Sequence, residues 1–425
     1  MSATTDKLRI LLYSHDTVGL GHIRRNQSIA CGLANCLHDP AILMVSGARQ
    51  CTLFEMPKSI DFVTIPSLRK ASTGGYEARN PALSLGEAMA LRTEILRSVI
   101  TSFQPDVFIA DKVPLGVYGE LEPALKTLRQ QPYARCVLGL RDILDEPEQT
   151  QMDWEANECN RAIKDYYDEV WVYGDQGFYD AGREYHLPAH VQRKMVYTGY
   201  LDRSVPQNGG VANESAVNLF DDIPGRIALC MVGGGEDGAH VASTFARCKF
   251  PQDMTGVVVT GPYMPEPLRD HLRAVALHHP QLRVIDFLDQ PEALIRRADR
   301  VVSMGGYNTV CELLAFEKDA LVIPRVTPRR EQLIRAERLQ ALQLLDMLHP
   351  NLLSAQAISD WLAAPRTQAP KRARRHLNLN GLDQLPTLVA NLLERPRCGK
   401  SSGASAGSIQ SMAIPACRTE SEAGL

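Results

Sequence analysis

The sequence predicts an α/β protein composed of two doubly wound domains, each with a parallel sheet flanked by helices. Three observations predict this fold class. The chain has 425 residues, more than one hydrophobic core usually accommodates, so two domains are the default expectation. Short β-rich apolar runs alternate with helical patterns over residues 8–173, and a second series begins at residue 226. Such alternation is typical of parallel sheets covered by helices.

The strands of the first domain are predicted from a series of apolar runs. These runs begin at Leu8, Ala41, Phe62, Asp106, Arg135 and Glu169. A helix is predicted from about Ser84 to Phe103, because its apolar residues recur on one face at helical spacing. We interpret that face as part of the core, and docking of the helix to a membrane is the alternative.

The second domain follows a stretch that is rich in Pro, Gly, Asn and Asp, as linkers are. Its strands are predicted at Arg226–Val232, Gly256–Thr260, Arg283–Asp286, Arg300–Ser303 and Ala320–Pro324. The predicted organisation is a first domain over residues 1–198, a linker over 199–224 and a second domain over 225–364. A basic connector with a C-terminal helix over 365–395 and a disordered tail over 396–425 complete the chain.

Charge limits the classes of partner. The chain has 46 Lys and Arg against 49 Asp and Glu, which leaves a formal charge of −3. No overall positive field attracts nucleic acid, so no nucleic-acid partner is expected and any anion must be bound locally. We interpret the basic residues between Arg366 and Arg375 as a solvated connector, and contact with nucleic acid or lipid phosphate is the alternative.

Cysteine spacing and hydropathy indicate the compartment. The ten cysteines are scattered without a CxxC pair, so neither a zinc site nor a dithiol is predicted and buried thiols in a reducing compartment are expected. The first eight residues are polar, and no apolar run approaches the roughly 18 residues that span a bilayer. A cytoplasmic location without a signal peptide is therefore expected.

The first strand runs into the segment SHDTVGLGHIRR, where Gly19 and Gly21 permit a tight turn before a helix. Such a turn can bind a dinucleotide, but GLGHIR lacks the third glycine of that motif. The second strand also ends in Ser46 and Gly47, where a ribose-binding carboxylate would be needed. No dinucleotide or other cofactor is therefore expected at this turn.

His22 stands at the start of that helix, at the carboxyl edge of the predicted sheet where α/β proteins bind ligands. Asp111 follows another strand and is expected at the same edge, where it can orient the imidazole and stabilise its protonated form. An aspartate-oriented histidine is suited to act as a general base toward a hydroxyl group. The alternative interpretation is that both residues cap helices.

Two glycine turns in the second domain follow strands. Gly233, Gly234 and Gly235 precede a helix, so exposed N–H groups and the positive end of the helix dipole suit a phosphate. A merely tight connection is the alternative interpretation of this turn. Gly305 and Gly306 form a second turn, which lets a ligand approach the backbone.

The helix after the second turn begins with Asn308 and Thr309, and Glu312 comes one turn later. A carboxylate there would repel a phosphate but could accept both hydroxyls of a ribose, and an exposed helix charge is the alternative. After the next strand, Glu331 and Gln332 can accept from and donate to sugar hydroxyls. A helix N-terminal charge and a surface amide are the ordinary alternatives.

A family resemblance is carried by the ordered segments GLGH, TGYLDR, GGGEDGA, GGYNTVCELL and EQLIRA. This set resembles the MurG-like branch of the GT-B glycosyltransferases, with a second half similar to their family 28 C-terminal domain. The resemblance covers most of residues 8–345 and is more specific in the second domain. It implies a GT-B fold, in which two Rossmann-like domains face each other across a cleft. It also implies a nucleotide-sugar donor held chiefly by the second domain, an acceptor over the first, and inverting transfer without a metal.

The resemblance implies roles for individual residues. Glu312 is implied to bind the donor ribose, and Glu331 with Gln332 the sugar hydroxyls. The remaining donor-binding residues are predicted to be Arg203, Gly233, Gly234, Gly235, Gly305, Gly306, Asn308 and Thr309. The catalytic residues are predicted to be His22 and Asp111. The acceptor-side residues are predicted to be Gly19, Gly21, Arg24 and Lys70, the last in a loop over residues 68–80 that covers the acceptor or is a mobile surface loop.

The chain departs from the family pattern at Glu331, which replaces one of two paired glutamines, and at Arg335, which replaces an asparagine. The first loop also lacks the full GGTGGH. The predicted function is transfer of a hexose or N-acetylhexosamine, with a UDP-sugar as the expected donor, to a hydroxyl of an unidentified acceptor. Peripheral membrane contact follows if that acceptor is lipid-linked. The alternatives are a nucleotide-sugar epimerase or hydrolase of the same fold, and a non-catalytic nucleotide-sugar-binding protein.

Overall fold

A computed structural model describes residues 7–15, 20–48, 56–71, 75–204, 223–235, 237–288, 291–365 and 373–395. The predicted tail over 396–425, most of the predicted linker and most of the basic connector therefore lie outside the described residues. Gly19 of the first glycine turn also lies outside them.

The first domain is built on a parallel sheet whose central strands are buried on both faces, as expected for a sheet covered by helices. Its strands are β1 (Arg9–Ser14), β2 (Ala41–Ser46), β3 (Ile60–Thr64), β6 (Val107–Asp111), β7 (Arg135–Arg141), β8 (Glu169–Tyr173) and β9 (Met195–Tyr197). They lie in the order β3-β2-β1-β6-β7-β8-β9. A separate antiparallel ribbon pairs β4 (Leu68–Lys70) with β5 (Tyr76–Ala78).

The helices of the first domain include the one that was predicted near Ser84. They are α1 (Gly21–Cys36), α2 (Leu85–Phe103), α3 (Glu122–Gln130), α4 (Pro147–Ala156), α5 (Cys159–Tyr166), α6 (Ala181–Glu184) and α7 (Ala189–Gln192). Ser84 caps α2 and forms a capping box with Glu87, which fixes where the helix begins. The inner row of α2 carries a buried Arg92, whose guanidinium pairs with Glu120 at 2.5 Å.

The second domain has a smaller parallel sheet. Its strands are β10 (Arg226–Met231), β11 (Met254–Val259), β12 (Leu282–Ile285), β13 (Arg300–Ser303), β14 (Asp319–Val322) and β15 (Asp346–Met347), in the order β12-β11-β10-β13-β14-β15. Its helices are α8 (Ala239–Phe245), α9 (Glu266–His278), α10 (Glu292–Arg297), α11 (Tyr307–Ala315), α12 (Glu331–Ala341) and α13 (Ala355–Ala363). The predicted fold class, two doubly wound α/β domains, is confirmed.

Each sheet reverses its strand order beside its first strand. In the first domain β1 lies between β2 and β6, and in the second β10 lies between β11 and β13. The loops that leave the two central strands turn to opposite faces of the sheet, so a crevice forms at the carboxyl edge at this point. The motifs singled out in the sequence follow these strands.

The last helix, α14 (Gly381–Glu394), returns to the first domain and packs on α1. Leu382 lies against Gly32 of α1, where an added Cβ would come within 3.5 Å of the leucine side chain. Arg135 of β7 donates from Nε to the carbonyl of Leu392 at 3.0 Å. The C-terminal helix is thus attached to the first domain. No helix of the described residues has the length and hydropathy needed to cross a membrane.

Candidate functional site

A cleft with a cavity volume of about 360 Å³ lies between the two carboxyl edges. One wall includes Gly21 and His22, which follow β1 of the first domain. The other wall includes the turn Gly233–Gly235 after β10 and the start of α11 after β13. The two points at which strand order reverses therefore face each other across one cavity.

His22 and Asp111 are brought together as the sequence predicted. Nδ1 of His22 lies 2.5 Å from Oδ2 of Asp111, and the aspartate is almost wholly buried behind the histidine. A carboxylate only accepts hydrogen bonds, so Nδ1 carries the proton and Nε2 is the nitrogen left to accept one. The side chain of His22 lines the cleft.

Arg25 is a third member of this group that the sequence analysis did not identify. It donates to both oxygens of Asp111, with Nη2 at 2.7 Å from Oδ1 and at 2.6 Å from Oδ2, and with Nε at 2.9 Å from Oδ1. It stands three residues after His22 on α1, and residues at this spacing share a helix face. This spacing is the sequence feature that could have identified Arg25 as a neighbour of His22.

The charges around His22 oppose one another. Burial lowers the pKa of His22 below its ordinary value, Asp111 raises it, and Arg25 lowers it again. The predicted effect of Asp111 is present, since its carboxylate favours the protonated ring, but burial and Arg25 outweigh it. Burial opposes ionisation of Asp111, but Arg25 and His22 outweigh it and hold its pKa low. The imidazole is therefore neutral near pH 7, which is the form that accepts a proton.

Two further groups of the first wall follow strands directly. His15 follows β1, and its ring centroid lies 4.7 Å from that of His22. Lys112 follows β6 and has a positive φ of 68°, a conformation that non-glycine residues rarely adopt outside functional sites and turns. Burial and the nearby Arg141 lower the pKa of Lys112 to about 7. The sequence feature that could have identified His15 and Lys112 is their position, one residue past the end of β1 and of β6.

The turn Gly233–Gly235 has the backbone geometry that only glycine adopts easily. Gly233 has φ +62° and Gly235 has φ +91°. A Cβ on Gly235 would lie 2.2 Å from the carbonyl oxygen of Thr260, so the turn also packs too closely for a side chain. All three glycines line the cleft and present backbone to it.

The N-terminus of α11 points its first turn at the same cavity. Gly306 is the N-cap and no side chain caps the helix, so the N–H groups of the first turn lack intrahelical acceptors. Gly306, Asn308 and Thr309 line the cleft. Asn308 also donates from Nδ2 to the carbonyl of Gly21 at 3.0 Å, which ties the two walls together. Gly305 lies behind the wall, and its carbonyl accepts from Arg335 at 2.8 Å.

Glu312 lies one layer behind the cleft wall, whereas the sequence analysis expected its carboxylate to face the cleft. Its Oε1 accepts from Arg203 at 3.1 Å and lies 3.7 Å from Nη2 of Arg24, and these arginines draw the side chain inward. Burial raises the pKa of Glu312, and the two arginines counteract this. Its Oε2 is buried without a hydrogen-bond partner, which is rare for a carboxylate oxygen.

Arg203 also differs from its predicted position. Its guanidinium lies against Glu292 at 2.7 Å and Glu312 at 3.1 Å, and it is not part of the cleft wall. Because both carboxylates form ion pairs with it, Arg203 positions Glu312 and does not contact the cleft. Arg24, which lines the cleft, is the cation that connects Glu312 to the cavity.

Glu331 and Gln332 both line the cleft at the start of α12. Glu331 Oε1 lies 2.7 Å from Nη2 of Arg325 and 3.6 Å from Nη2 of Arg141, so the carboxylate joins cations of both domains. These arginines hold the pKa of Glu331 low although burial opposes them. Gln332 accepts from the backbone N–H of Arg325 through Oε1 at 3.0 Å.

Arg335, which replaces an asparagine of the family pattern, joins the domains in the interior. It donates to both carboxylate oxygens of Asp142 in the first domain, at 2.8 Å from Nε and 2.6 Å from Nη2. Neither side chain has appreciable exposure. Breaking such a buried pair typically destabilises a protein by about 3–5 kcal/mol. The departure therefore has a structural reason.

Positive charge dominates the cleft although the chain as a whole has a formal charge of −3. The basic side chains that line the cleft are Arg24, Arg25, Lys70, Lys112, Arg141, Arg325 and Arg329, and the acidic ones are Asp237 and Glu331. Asp237 pairs with Arg325 at 2.7 Å. The excess suits a ligand with several negative charges. Within the described residues, no cluster of three His, Cys, Asp or Glu could hold a metal ion.

Known proteins resemble this chain in sequence. Residues 229–364 match the glycosyltransferase family 28 C-terminal domain. The chain is 23% identical over 330 residues to a UDP-N-acetylglucosamine–N-acetylmuramyl-(pentapeptide) pyrophosphoryl-undecaprenol N-acetylglucosamine transferase of Bacteroides thetaiotaomicron, an alignment that covers 75% of this chain and 78% of that protein. A protein of the same description from Synechocystis is 25% identical over 186 residues, or 41% of this chain and 50% of that one.

Solved structures show the same two-domain fold. MurG of Acinetobacter baumannii has a TM-score of 0.55 at 13% identity, covering 91% of this chain and 99% of that one. A UDP-GlcNAc 2-epimerase from Neisseria meningitidis, bound to UDP-GlcNAc, has a TM-score of 0.56 at 14% identity, covering 91% and 99%. At these identities the likeness establishes the fold.

Proposed function

We propose that this glycosyltransferase, whose residues 229–364 form a family 28 C-terminal domain, moves a hexose or N-acetylhexosamine from a nucleotide-diphosphate sugar to an acceptor hydroxyl. The enzyme class follows from the family match and the curated relatives. The observation that supports this donor and acceptor assignment is the arrangement of the cationic cavity. A neutral His22 bound to Asp111 lies on one wall, and backbone N–H donors lie on the opposite wall. A UDP-sugar is the expected donor, since the relatives are described as using UDP-N-acetylglucosamine.

The donor is proposed to lie against the second wall. Its diphosphate would accept from the backbone N–H groups of Gly233 and Gly234 and from those of the first turn of α11, at the positive end of that helix. The N–H of Gly235 already donates to the carbonyl of Val232 at 3.1 Å. Arg24 supplies a nearby cation. The free Oε2 of Glu312 is the acceptor proposed for the ribose hydroxyls, which requires a small opening of the wall in front of it.

The transfer step assigns one proton and one electron pair. The acceptor oxygen attacks the anomeric carbon and its proton passes to Nε2 of His22. The bond from that carbon to the phosphate oxygen breaks, and the nucleoside diphosphate leaves with the electron pair. Preorganised N–H donors and cations stabilise the charge on the leaving diphosphate. Attack opposite the leaving group inverts the anomeric configuration.

This mechanism assigns no role to a metal ion, because arginines and N–H groups supply the positive charge. Transfer is accordingly expected to proceed at full rate in the presence of EDTA. A requirement for Mg²⁺ in the transfer assay would replace this part of the proposal. The acceptor is proposed to lie on the first domain, and contact with a membrane surface would follow if it is lipid-linked.

The test begins with donor binding. Calorimetry with UDP, GDP, TDP and their sugars is expected to give saturable binding of one nucleotide class, with the diphosphate binding more tightly than the monophosphate. Absence of binding by every nucleotide would overturn the proposed function.

Product analysis then distinguishes the reaction types. Incubation with UDP-N-acetylglucosamine and candidate acceptors is expected to release UDP in equal amount to glycosylated acceptor. UDP release with free sugar as the other product would instead establish a hydrolase. Conversion to a second UDP-sugar without UDP release would establish an epimerase, and unchanged UDP-sugar with every acceptor would leave a binding protein.

A further inference from the structure

A second cavity of about 260 Å³ adjoins the cleft on the first-domain side. It shares His15, Tyr76, Lys112 and Arg329 with the cleft wall. We call it the side chamber and define it by His15, Tyr76, Lys112, Tyr118, Thr150 and Trp154. Because the ring of His15 lies 4.7 Å from that of His22, a molecule in the side chamber would lie beside the proposed base.

Two buried polar atoms of the side chamber have no hydrogen-bond partner. These are Nδ1 of His15 and Oγ1 of Thr150, in side chains that are 4% and 2% exposed. Buried polar groups are almost always satisfied by protein, water or ligand. Burial holds the pKa of His15 well below its ordinary value, so its imidazole is neutral and can accept as well as donate. The side chamber is therefore prepared for a polar ligand.

The charged groups of the side chamber differ in how they are engaged. Arg329 is offset by two carboxylates, with Nη1 at 3.0 Å from Asp145 and 2.5 Å from Asp153, which also lines the chamber. Lys112 forms no ion pair within the described residues. Its ammonium is thus the cation that remains available for an acidic group of a ligand.

Aromatic side chains form much of the remaining wall. Trp154 is almost wholly buried, and Tyr76 and Tyr118 meet edge to face with their centroids 5.9 Å apart. The backbone N–H of Tyr76 donates to the hydroxyl of Tyr118 at 3.1 Å, which holds the ring of Tyr118 beside Tyr76. Aromatic walls favour flat apolar ligands, since such rings stack or meet edge to face.

We propose that the side chamber is the acceptor subsite and that it takes a hydroxylated apolar ring bearing an acidic group, with the acid at Lys112 and the ring against Trp154 and the tyrosines. This inference rests on the proposed function and names the class of acceptor for it. Thr150 and His15 hydrogen-bond the polar edge of the acceptor, and its hydroxyl projects into the cleft toward His22.

The experiment uses two ligands of one shape and different charge, 6-hydroxy-2-naphthoate and 6-hydroxy-2-naphthamide. Each is titrated calorimetrically into the full chain saturated with UDP. The acid is expected to bind at least about tenfold more tightly than the amide at pH 6, a difference typical of one charge-assisted hydrogen bond. Because the bound carboxylate favours protonated Lys112, whose pKa is about 7 in the free protein, binding near pH 7.5 takes up protons and the preference declines as the pH rises.

Matched variants locate the effect. Lys112→Met is expected to abolish the preference for the acid, whereas Lys126→Met, an exposed lysine of the same domain, keeps it. Thr150→Val has the same shape but no hydroxyl and is expected to weaken both ligands, whereas Thr101→Val on the surface does not. Thermal unfolding verifies that each variant folds. If Lys112→Met does not fold, Thr150→Val tests the subsite in its place.

Three results would overturn the side chamber as acceptor subsite. They are equal binding of acid and amide, a preference for the acid that persists in Lys112→Met, and no binding of either ligand by a protein that binds UDP. In each case the proposed function stands, because UDP binding tests it separately. Failure to bind UDP, GDP and TDP alike would instead remove the proposed function.

Discussion

The two walls of the cleft are built by different means although they arise at equivalent points of two similar sheets. The wall of the first domain presents ionisable side chains to the cleft, and His22, Asp111, Arg25 and Lys112 lie in one cluster. The wall of the second domain works through backbone, with the turn Gly233–Gly235 and the uncapped start of α11. The activity of the first wall therefore depends on the protonation of its side chains, whereas ligand binding by the second wall depends on its backbone conformation.

The largest effect is expected from His22→Gln. The amide keeps a hydrogen bond to Asp111 but cannot accept the acceptor proton, so kcat should fall by about 100- to 10,000-fold, the range that general-base catalysis contributes. The affinity for UDP should not change, because the second wall is untouched. Transfer kinetics and calorimetry measure the two quantities, with the exposed His38→Gln as the control. A variant that keeps its kcat would remove His22 from the mechanism.

Gly235→Ala tests the conformational wall. Its φ of +91° and the contact of 2.2 Å between an added Cβ and Thr260 force the turn to shift. UDP affinity should fall about tenfold, equivalent to about 1.4 kcal/mol, and thermal stability should fall as well. Gly86→Ala is the matched control, since a Cβ there meets nothing within 4 Å. Unchanged UDP affinity in a folded Gly235→Ala protein would contradict a diphosphate at this turn.

Glu312 lies one layer behind the second wall, and a comparison of UDP with 2′-deoxy-UDP tests whether it contacts the ribose. A hydrogen bond to a charged group contributes about 1.5–3 kcal/mol, so the wild type should bind UDP at least about tenfold more tightly. In Glu312→Gln this difference should shrink, while the exposed Glu337→Gln keeps it. If the wild type binds both nucleotides equally, the carboxylate does not serve the ribose.

A smaller effect is expected on the pH dependence of kcat, which the side chains of the first wall determine. Because burial holds the pKa of His22 below 6.5, kcat should be constant at neutral pH and decline as the pH falls through that pKa. Arg25 lowers this pKa, so Arg25→Gln should raise it and move the decline to higher pH. Arg97→Gln, a surface arginine, should leave the profile unchanged. A decline that moves to lower pH in Arg25→Gln would contradict the assigned charges.

The second wall was readable from the sequence because glycine marks the backbone geometry itself. Gly233, Gly235 and Gly306 stand at a turn or a cap whose position follows from the strand before it. The strand pattern was equally readable, since buried parallel strands are continuous apolar runs. The short strands β4, β5, β9 and β15 were not predicted, because two or three residues carry no periodicity.

The first wall was readable only in part. His22 and Asp111 could be paired, since both follow strands that meet at one edge. The roles of Lys112 and Arg329 depend on their burial and on partners from distant segments, and sequence spacing reveals neither. The same holds for Arg335, whose partner Asp142 belongs to the other domain. Glu312 was expected to face the cleft, but it lies behind the wall because Arg24 and Arg203 draw it inward, and spacing does not reveal these partners either.

A crystal structure of this chain with UDP-N-acetylglucosamine tests the proposed donor site most directly. Pyrophosphate oxygens are expected within about 3 Å of the backbone nitrogens of Gly233 or Gly234 or of the first turn of α11, with the anomeric carbon facing His22. A pyrophosphate bound away from both turns, or a sugar directed away from His22, would contradict the proposed site.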